Sequence, residues 1–432
     1  MAYSSSKPAG SLFLVTATIF LIISSCRADP DPLQDFCVAN LQATDITVDG
    51  FPCKPTSSVV SDDFFFSGLS APGNTNNMFG SNVTQGNVAS FPGLNTLGLS
   101  MNRVDLVPGG INPLHSHPRS TELGLVIQGE VLVGFVSTAN AFYSKTLKAG
   151  ENFVIPRGLV HFQYNVGTGN AVVITAFNSQ LPGVVLAPFT LFGSTPAIPN
   201  DVLTKTFQVD QNYSNSKPGS LLILFATVFL IISSCRADPD PLQDFCVANL
   251  QATDITVDGF PCKPTSSVVS DDFFFSGLSA PGNTNNMFGS NITQANVANF
   301  PGLNTLGLSM NRVDLVPGGI NPLHSHPRAT ELGFILQGEV LVGFVSTANA
   351  FYSKTVKAGE SFVIPRGLVH FQFNVGTGNA VVITAFDSQL PGVVLAPFTL
   401  FGSTPAIPND VLTKTFQVDQ SVINLFKSKF GN

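Results

Sequence analysis

The sequence predicts an all-β protein of two similar domains, each a closed barrel or sandwich of short strands with short helices at its C-terminal end. Three observations carry this. At 432 residues the chain can hold two domains of ordinary size, each with its own core. Residues 29–210 recur at 238–419 with a constant offset of 209, Asp29 matching Asp238. Within each copy the apolar segments are brief and punctuated by glycine, proline and asparagine, as many short strands joined by tight turns require. A period of this length is far beyond that of a solenoid, so the repeat is a tandem of whole domains.

Residues 1–28 read as a secretory signal. Lys7 supplies a positive region, Leu12–Ile23 an apolar run too short to span a bilayer, and Cys26-Arg27-Ala28 a small-residue cleavage site before Asp29. The same pattern returns within 211–237. Lys217 precedes Leu221–Ile232, which is followed by Cys235-Arg236-Ala237 and Asp238. A plain linker has no use for such a run, since exposing it invites association. Three readings follow: a read-through or gene-model fusion of two neighbouring genes, which is favoured; a fused chain cut after Ala237; or an uncut chain with the run buried or membrane-associated. An uncut mature chain would leave Cys235 unpaired. The expected organisation is therefore signal 1–28, domain 29–210, signal-like linker 211–237 and domain 238–432.

Export agrees with the remaining signals. Cys37 and Cys53 are repeated as Cys246 and Cys262 at the same separation. If each pair is bridged, the closed loop contributes roughly 3 kcal/mol in the chain-entropy picture; buried free thiols are the alternative. Asn82-Val83-Thr84 and Asn291-Ile292-Thr293 are N-glycosylation sequons, and Asn212-Tyr213-Ser214 is a third, in the linker. A 44% hydrophobic and 11% charged composition describes a compact globule. The net charge of −7, with no lysine or arginine cluster, argues against a nucleic-acid partner.

Strand candidates in the first copy are Leu97–Leu106, Glu122–Val136, Phe142–Leu147, Asn152–Ile155, Phe162–Val166 and Ala171–Phe177. Asn200 is placed to cap a short helix from Asp201 to Thr206. Only the second copy continues into a segment where Val422, Leu425, Phe426 and Phe430 could share a helical face, with lysines near its end. About eleven positions separate the copies, among them Leu125/Phe334, Asn152/Ser361, Tyr164/Phe373 and Asn178/Asp387.

All six histidines fall in one duplicated pattern: His115, His117 and His161, then His324, His326 and His370, each set with a glutamate, Glu122 or Glu331. On a strand, i and i+2 side chains share a face, so His115 and His117 point together. Glu122 follows a short turn, in what reads as a hairpin ending at Gly129, and His161 arrives from a later strand after Pro156-Arg157-Gly158. Three imidazoles and one carboxylate without a thiolate form a mixed N/O site with about two open positions, suited to Mn²⁺ or Fe²⁺ more than to a closed zinc site. Core histidines satisfied by hydrogen bonds are the bland alternative; the spacing, the duplication and the lack of other histidines oppose it.

Gly109, His115-Ser116-His117, Glu122 and Gly129 resemble the first cupin motif, and Gly150, Pro156-Arg157-Gly158, His161 and Asn165 the second. Gly318, His324, His326, Glu331, Gly338, Gly359, Pro365, Gly367, His370 and Asn374 repeat both. The start Asp29-Pro30-Asp31-Pro32-Leu33-Gln34-Asp35-Phe36-Cys37 is similar to that of plant germins and germin-like proteins. The resemblance covers nearly all of both halves. It implies a jelly-roll β-barrel in each half, one Mn²⁺ per barrel, a Cys37–Cys53 disulfide with its Cys246–Cys262 counterpart, and residence in the cell wall or apoplast. It also implies assembly as a homo-oligomer, a trimer of dimers in germins. By the same resemblance Asn102 and Asn112, with Asn311 and Asn321, would position a substrate. Three functions follow from it: superoxide dismutase-like turnover, which asks only for an open position on a redox metal; oxalate oxidase; and a non-enzymatic wall or storage role. Each mature repeat carries more acid than base, 13 Asp and Glu against 7 Lys and Arg in 29–210, so long-range steering of an anion is not expected.

Overall fold

A computed structural model of the chain describes residues 34–43, 50–199, 202, 203, 206, 243–253 and 259–431. The export segment 1–28, the linker 211–237, Cys26, Cys235 and the Asn212 sequon lie outside the described residues, as do Asn200 and Asp201. Among the described residues no helix is long and apolar enough to cross a membrane.

The first copy runs β1 (Phe65–Phe66), β2 (Ser81–Gly86), β3 (Ser100–Leu106), β4 (Ile111–Ser116), β5 (Glu122–Gln128), β6 (Glu130–Val136), β7 (Phe142–Lys148), β8 (Asn152–Ile155), β9 (Val160–Asn165), β10 (Ala171–Phe177), β11 (Val185–Leu186) and helix α1 (Ala187–Phe192). The second copy repeats this order, beginning with β12 (Phe274–Phe275) and including β19 (Ser361–Ile364). It ends in α2 (Ala396–Phe401), α3 (Asn409–Phe416) and α4 (Gln420–Phe430). Each copy is a two-sheet sandwich. In the first, β12-β8-β5-β10-β3-β2 form a six-stranded sheet and β11-β4-β9-β6-β7 a five-stranded one.

Burial patterns explain the layering. Residues of β9 alternate between the interior and the outside, as in a sheet with one covered face. Every residue of β10 is buried, as in a strand covered on both faces. The second cover is the other copy: Asn152 on β8 donates its amide Nδ2 to Met310 Sδ of the second half at 3.2 Å.

The two copies also exchange short strands. β1 pairs with β19 of the second copy (Phe65↔Phe362, Phe66↔Ser361), and β12 pairs with β8 of the first. Phe64 packs edge-on against Phe344 and Tyr352 at 4.9 and 5.1 Å; Phe273 does the same to Phe135 and Tyr143. Lys145–Asp271 and Lys354–Asp62 ion pairs rim the seam. Buried apolar residues form one continuous core through both halves. Cys37–Cys53 and Cys246–Cys262 are joined as disulfides, with Cα atoms 4.9 and 4.8 Å apart.

Several expectations are corrected. The strand expected from Leu97 begins at Ser100, because Thr96 and Gly98 hold φ of 64° and 69°, outside strand geometry. The segment Glu122–Val136 is two strands split at Gly129 (φ 84°), which lie in different sheets. No hairpin links the His-x-His pair to Glu122 either, since β4 pairs with β9 and β11 while β5 pairs with β8 and β10. The strand expected at Phe162–Val166 spans Val160–Asn165. Strands β1, β2 and β11 were not anticipated. In α4 the fully buried residue is Ile423, with Phe426 and Phe430 against Phe401 and Phe398; Leu425 is exposed. At 100° per residue, 423, 426 and 430 share a face that 425 does not. In the second copy, Asn409, the counterpart of Asn200, is the first helical residue and not the cap.

Phe273→Ala should cost about 3–5 kcal/mol, because it empties a fully buried position that both copies line. Equilibrium denaturant unfolding of the full chain measures this, and a change below about 1 kcal/mol would place the aromatic seam outside the cooperative core.

Candidate metal centre

His115, His117, Glu122 and His161 converge, with ligand atoms all within 4.8 Å of one another, and His324, His326, Glu331 and His370 do the same. The histidines come from the five-stranded sheet, His115 on β4, His117 just beyond it and His161 on β9. Glu122 opens β5 in the facing sheet. The centre therefore bridges the two layers of the sandwich.

Local chain chemistry aims each ligand. His115 lies opposite His161 in the β4–β9 ladder, after an irregularity following Asn112. Pro113 falls in that irregularity, where a residue without an N–H is tolerated, and its carbonyl accepts from His115 Nδ1 at 2.7 Å. His117 Nδ1 meets the Gly183 carbonyl at 2.6 Å, and His161 Nδ1 the Leu159 carbonyl at 2.9 Å. Since a carbonyl only accepts, each Nδ1 carries a hydrogen, so Nε2 is the nitrogen that can offer a lone pair to a cation once it gives up any proton it shares with Glu122. The turn Pro156-Arg157-Gly158 clamps the His117 backbone. Gly158 (φ 79°) donates its N–H to the His117 carbonyl at 3.0 Å, and Arg157 Nε donates to Pro118 O at 2.9 Å.

Glu122 Oε2 lies 3.1 Å from His117 Nε2 and 2.9 Å from His161 Nε2; in the second copy both distances are 3.0 Å. Burial pushes the Glu122 carboxyl up, but the charges and hydrogen bonds of His161 and His117 outweigh it and hold it well below the ordinary carboxylate range. Burial and the neighbouring His161 lower His115 to about 3, so its imidazole is neutral near neutral pH. For His117 burial opposes the charged form, but the hydrogen bond and charge of Glu122 outweigh it and raise its pKa. A metal needs neutral imidazoles and an ionised carboxylate, so a cation binding here would displace the proton that Glu122 favours on His117. The donor set of three nitrogens and one carboxylate oxygen, without sulfur, fits a divalent cation of manganese or iron type.

Gln163 was not anticipated. It follows His161 by two on the same strand and so shares its inward face, which is the signal that could have found it. Its Nε2 donates to Glu122 Oε1 at 2.9 Å while its Oε1 accepts from Asn112 Nδ2 at 2.6 Å. Gln372 links Asn321 to Glu331 in the same way. Asn112 and Asn321 thus reach the ligand carboxylate through a glutamine. Asn102 pairs with Thr175, and Thr175 with Gly124, two residues from Glu122, so the register turns Asn102 to the face that carries Glu122; Asn311 is its counterpart. The Phe177 ring stands edge-on to His117 at 4.7 Å. Asn82 and Asn291 lie away from the centre, on the strands at the sheet edges, their Nδ2 atoms donating to Thr84 and Thr293 hydroxyls at 3.1 Å.

The family model described as Cupin matches residues 67–215 and 276–424. The chain belongs to the cupin family. Germin-like protein 3-8 of Oryza sativa subsp. japonica is 59% identical over 224 residues, 50% of this chain and 100% of that protein. Oxalate oxidase 2 of Hordeum vulgare is 53% identical over 211 residues, 48% and 94% respectively. The cupin chain is thus a tandem of two germin-like units. A solved oxalate decarboxylase from Bacillus subtilis, 18% identical, aligns over 84% of both chains with a TM-score of 0.63, which reflects the shared two-cupin fold.

Gln163→Ala should weaken metal binding about 10–100-fold in the first cupin unit, by freeing Glu122 Oε1 from its support. Titration of the metal-stripped chain with Mn²⁺ reads this as one weakened and one intact site. Two identical sites in the variant would refute the supporting role.

Proposed function

We propose that the chain is a secreted, manganese-binding germin-like protein of the plant apoplast that converts superoxide to dioxygen and hydrogen peroxide (2 O₂⁻ + 2 H⁺ → O₂ + H₂O₂). The observation that carries this is the clustered set of three imidazoles and one carboxylate in each unit, four donors that would hold a divalent metal and leave it room for a small ligand. A manganese ion held there supplies one-electron chemistry. His115, His117, His161 and Glu122 bind it in the first unit, and His324, His326, His370 and Glu331 in the second. Gln163 and Asn112 orient the carboxylate, and Phe177 shields one edge of His117 from water. The second reading is oxalate oxidation (oxalate + O₂ + 2 H⁺ → 2 CO₂ + H₂O₂). The inward faces of Asn102 and Asn112 and the 53% identity to Oxalate oxidase 2 favour it. An amide can donate to a substrate carboxylate without adding charge.

Purified, manganese-loaded chain supplied separately with superoxide and with oxalate decides between them. Turnover of superoxide alone, lost in the His117→Ala/His326→Ala double variant, is the expected result. Peroxide formed from oxalate would establish the second reading. Absence of both activities, with assembly lost on manganese removal, would leave the non-enzymatic wall or storage role.

We further propose that export removes residues 1–28 and that the units 29–210 and 238–432 occur as separate polypeptides, as products of two neighbouring genes or else by a cut after Ala237. Strand exchange, aromatic packing and ion pairs would hold the units together without a covalent link, and germin-like units of this kind would assemble further in the wall. The intact mass and N-termini of the secreted product test this. A polypeptide beginning at Asp238 is expected; a single species that runs from Asp29 through Asn432 would overturn it.

A further inference from the structure

The seam between the units is nearly symmetric, and the departure at Asn178/Asp387 is chemically unlike the others. In the first unit, Asn178 Oδ1 accepts from the Thr121 N–H and the Ser120 hydroxyl, both at 2.9 Å. Its Nδ2 donates across the seam to the Leu306 carbonyl at 3.0 Å. In the second unit the side chain is Asp387. Its Oδ1 accepts from the Thr330 N–H at 2.8 Å, but the position of Ser120 is taken by Ala329, which has no hydroxyl to offer. Its Oδ2 occupies the place of Asn178 Nδ2. A Cβ built on Gly98 would lie 3.5 Å from Asp387 Oδ2, as one on Gly307 would lie 3.2 Å from Asn178 Nδ2. By the near-symmetry of the two corners, the group opposite Oδ2 is inferred to be the Leu97 carbonyl, the counterpart of Leu306.

A carboxylate cannot donate to a carbonyl, and two facing oxygens repel; a carboxylic acid can donate as the amide does. We propose that Asp387 is a proton-dependent clasp between the two units: protonated, it donates to the Leu97 carbonyl and completes the seam, and ionised, it opposes it. Both changes in this corner act together. Replacement of Ser120 by Ala329 removes a donor that would favour the charged form, and replacement of Asn178 by Asp387 makes the cross-seam donor titratable. Desolvation pushes the half-buried Asp387 carboxyl up to about 6, against the lowering effect of the Thr330 N–H, its own backbone N–H and, among the described charged groups, Arg366. Because the folded value lies above the ordinary one, stability from this group is full below the unfolded value near 4 and is lost as pH rises through about 6. The clasp would thus be closed in a mildly acidic compartment and strained in a neutral one.

Thermal unfolding of the full chain from about pH 4.5 to 7.5 tests this, with Asp387→Asn as the main variant. That change installs the residue the first unit already uses, so folding is not in question. The melting temperature of Asp387→Asn should exceed that of the parent by a margin that widens by roughly 2–4 °C across the range. Taking the difference removes pH effects of the histidine clusters, which both proteins share. Ala329→Ser, which returns the hydroxyl donor, should move the parent's loss of stability to lower pH. An infrared carboxylic-acid C=O band, present at low pH in the parent and missing in Asp387→Asn, would show the proton directly. Parallel profiles for parent and Asp387→Asn, no response to Ala329→Ser, or absence of that band would each overturn the proposal.

Discussion

Among the described residues, Glu122 is the one candidate ligand that the six-stranded sheet contributes to a cluster otherwise built by the five-stranded sheet. Its ionised carboxylate is buried, and an isolated buried charge is among the costliest features a fold can carry. Two imidazole Nε2 atoms and the Gln163 amide surround it, so its burial is tolerated only when the two sheets face each other in this register. A cation bound there would fasten the layers at the same point. The candidate ligand set and the sandwich geometry are for this reason one constraint, and they stand together in both units.

The second organising feature is the seam. Each unit leaves one edge of its larger sheet for a two-residue strand from the other, and each inserts a phenylalanine, Phe64 or Phe273, into the other's aromatic cluster. These contacts are reciprocal and involve none of the linker. Two polypeptides could make them as well as one, which is why the covalent state of the chain and the pairing of its units are separate questions. Near-identical halves keep the interface self-complementary. The few differences that touch it, at Asn152/Ser361, Ser120/Ala329 and Asn178/Asp387, are where the halves become distinguishable.

Much of the site was legible in the sequence because its logic is short-range. His115 and His117 sit two apart on a strand, His161 follows a proline-glycine turn, and residue type alone names the ligand atoms. The strands Asn152–Ile155 and Ala171–Phe177 were legible for a similar reason, as compact apolar runs between turn residues. Sheet membership was not legible. The span Glu122–Val136 reads as one arm of a hairpin, yet Gly129 carries the chain from one sheet to the other, and strand pairing depends on partners far away in sequence. Gln163 was passed over because a glutamine on a strand has no distinctive pattern until Glu122 and Asn112 are found on either side of it.

By itself the sequence determined the duplication, the all-β class, the eight candidate ligand residues and the similarity to germins, since each depends on residue type and spacing along one chain. Only the tertiary structure decided that the ligands bridge two facing sheets, that a glutamine couples Asn112 to Glu122, and that the units complete one another's sheets. It also turned an ordinary difference, Asn178 against Asp387, into a question of where a proton resides. The physical reason is common to all of these. A buried charge or donor takes its properties from the groups packed around it, and those groups come from distant parts of the sequence.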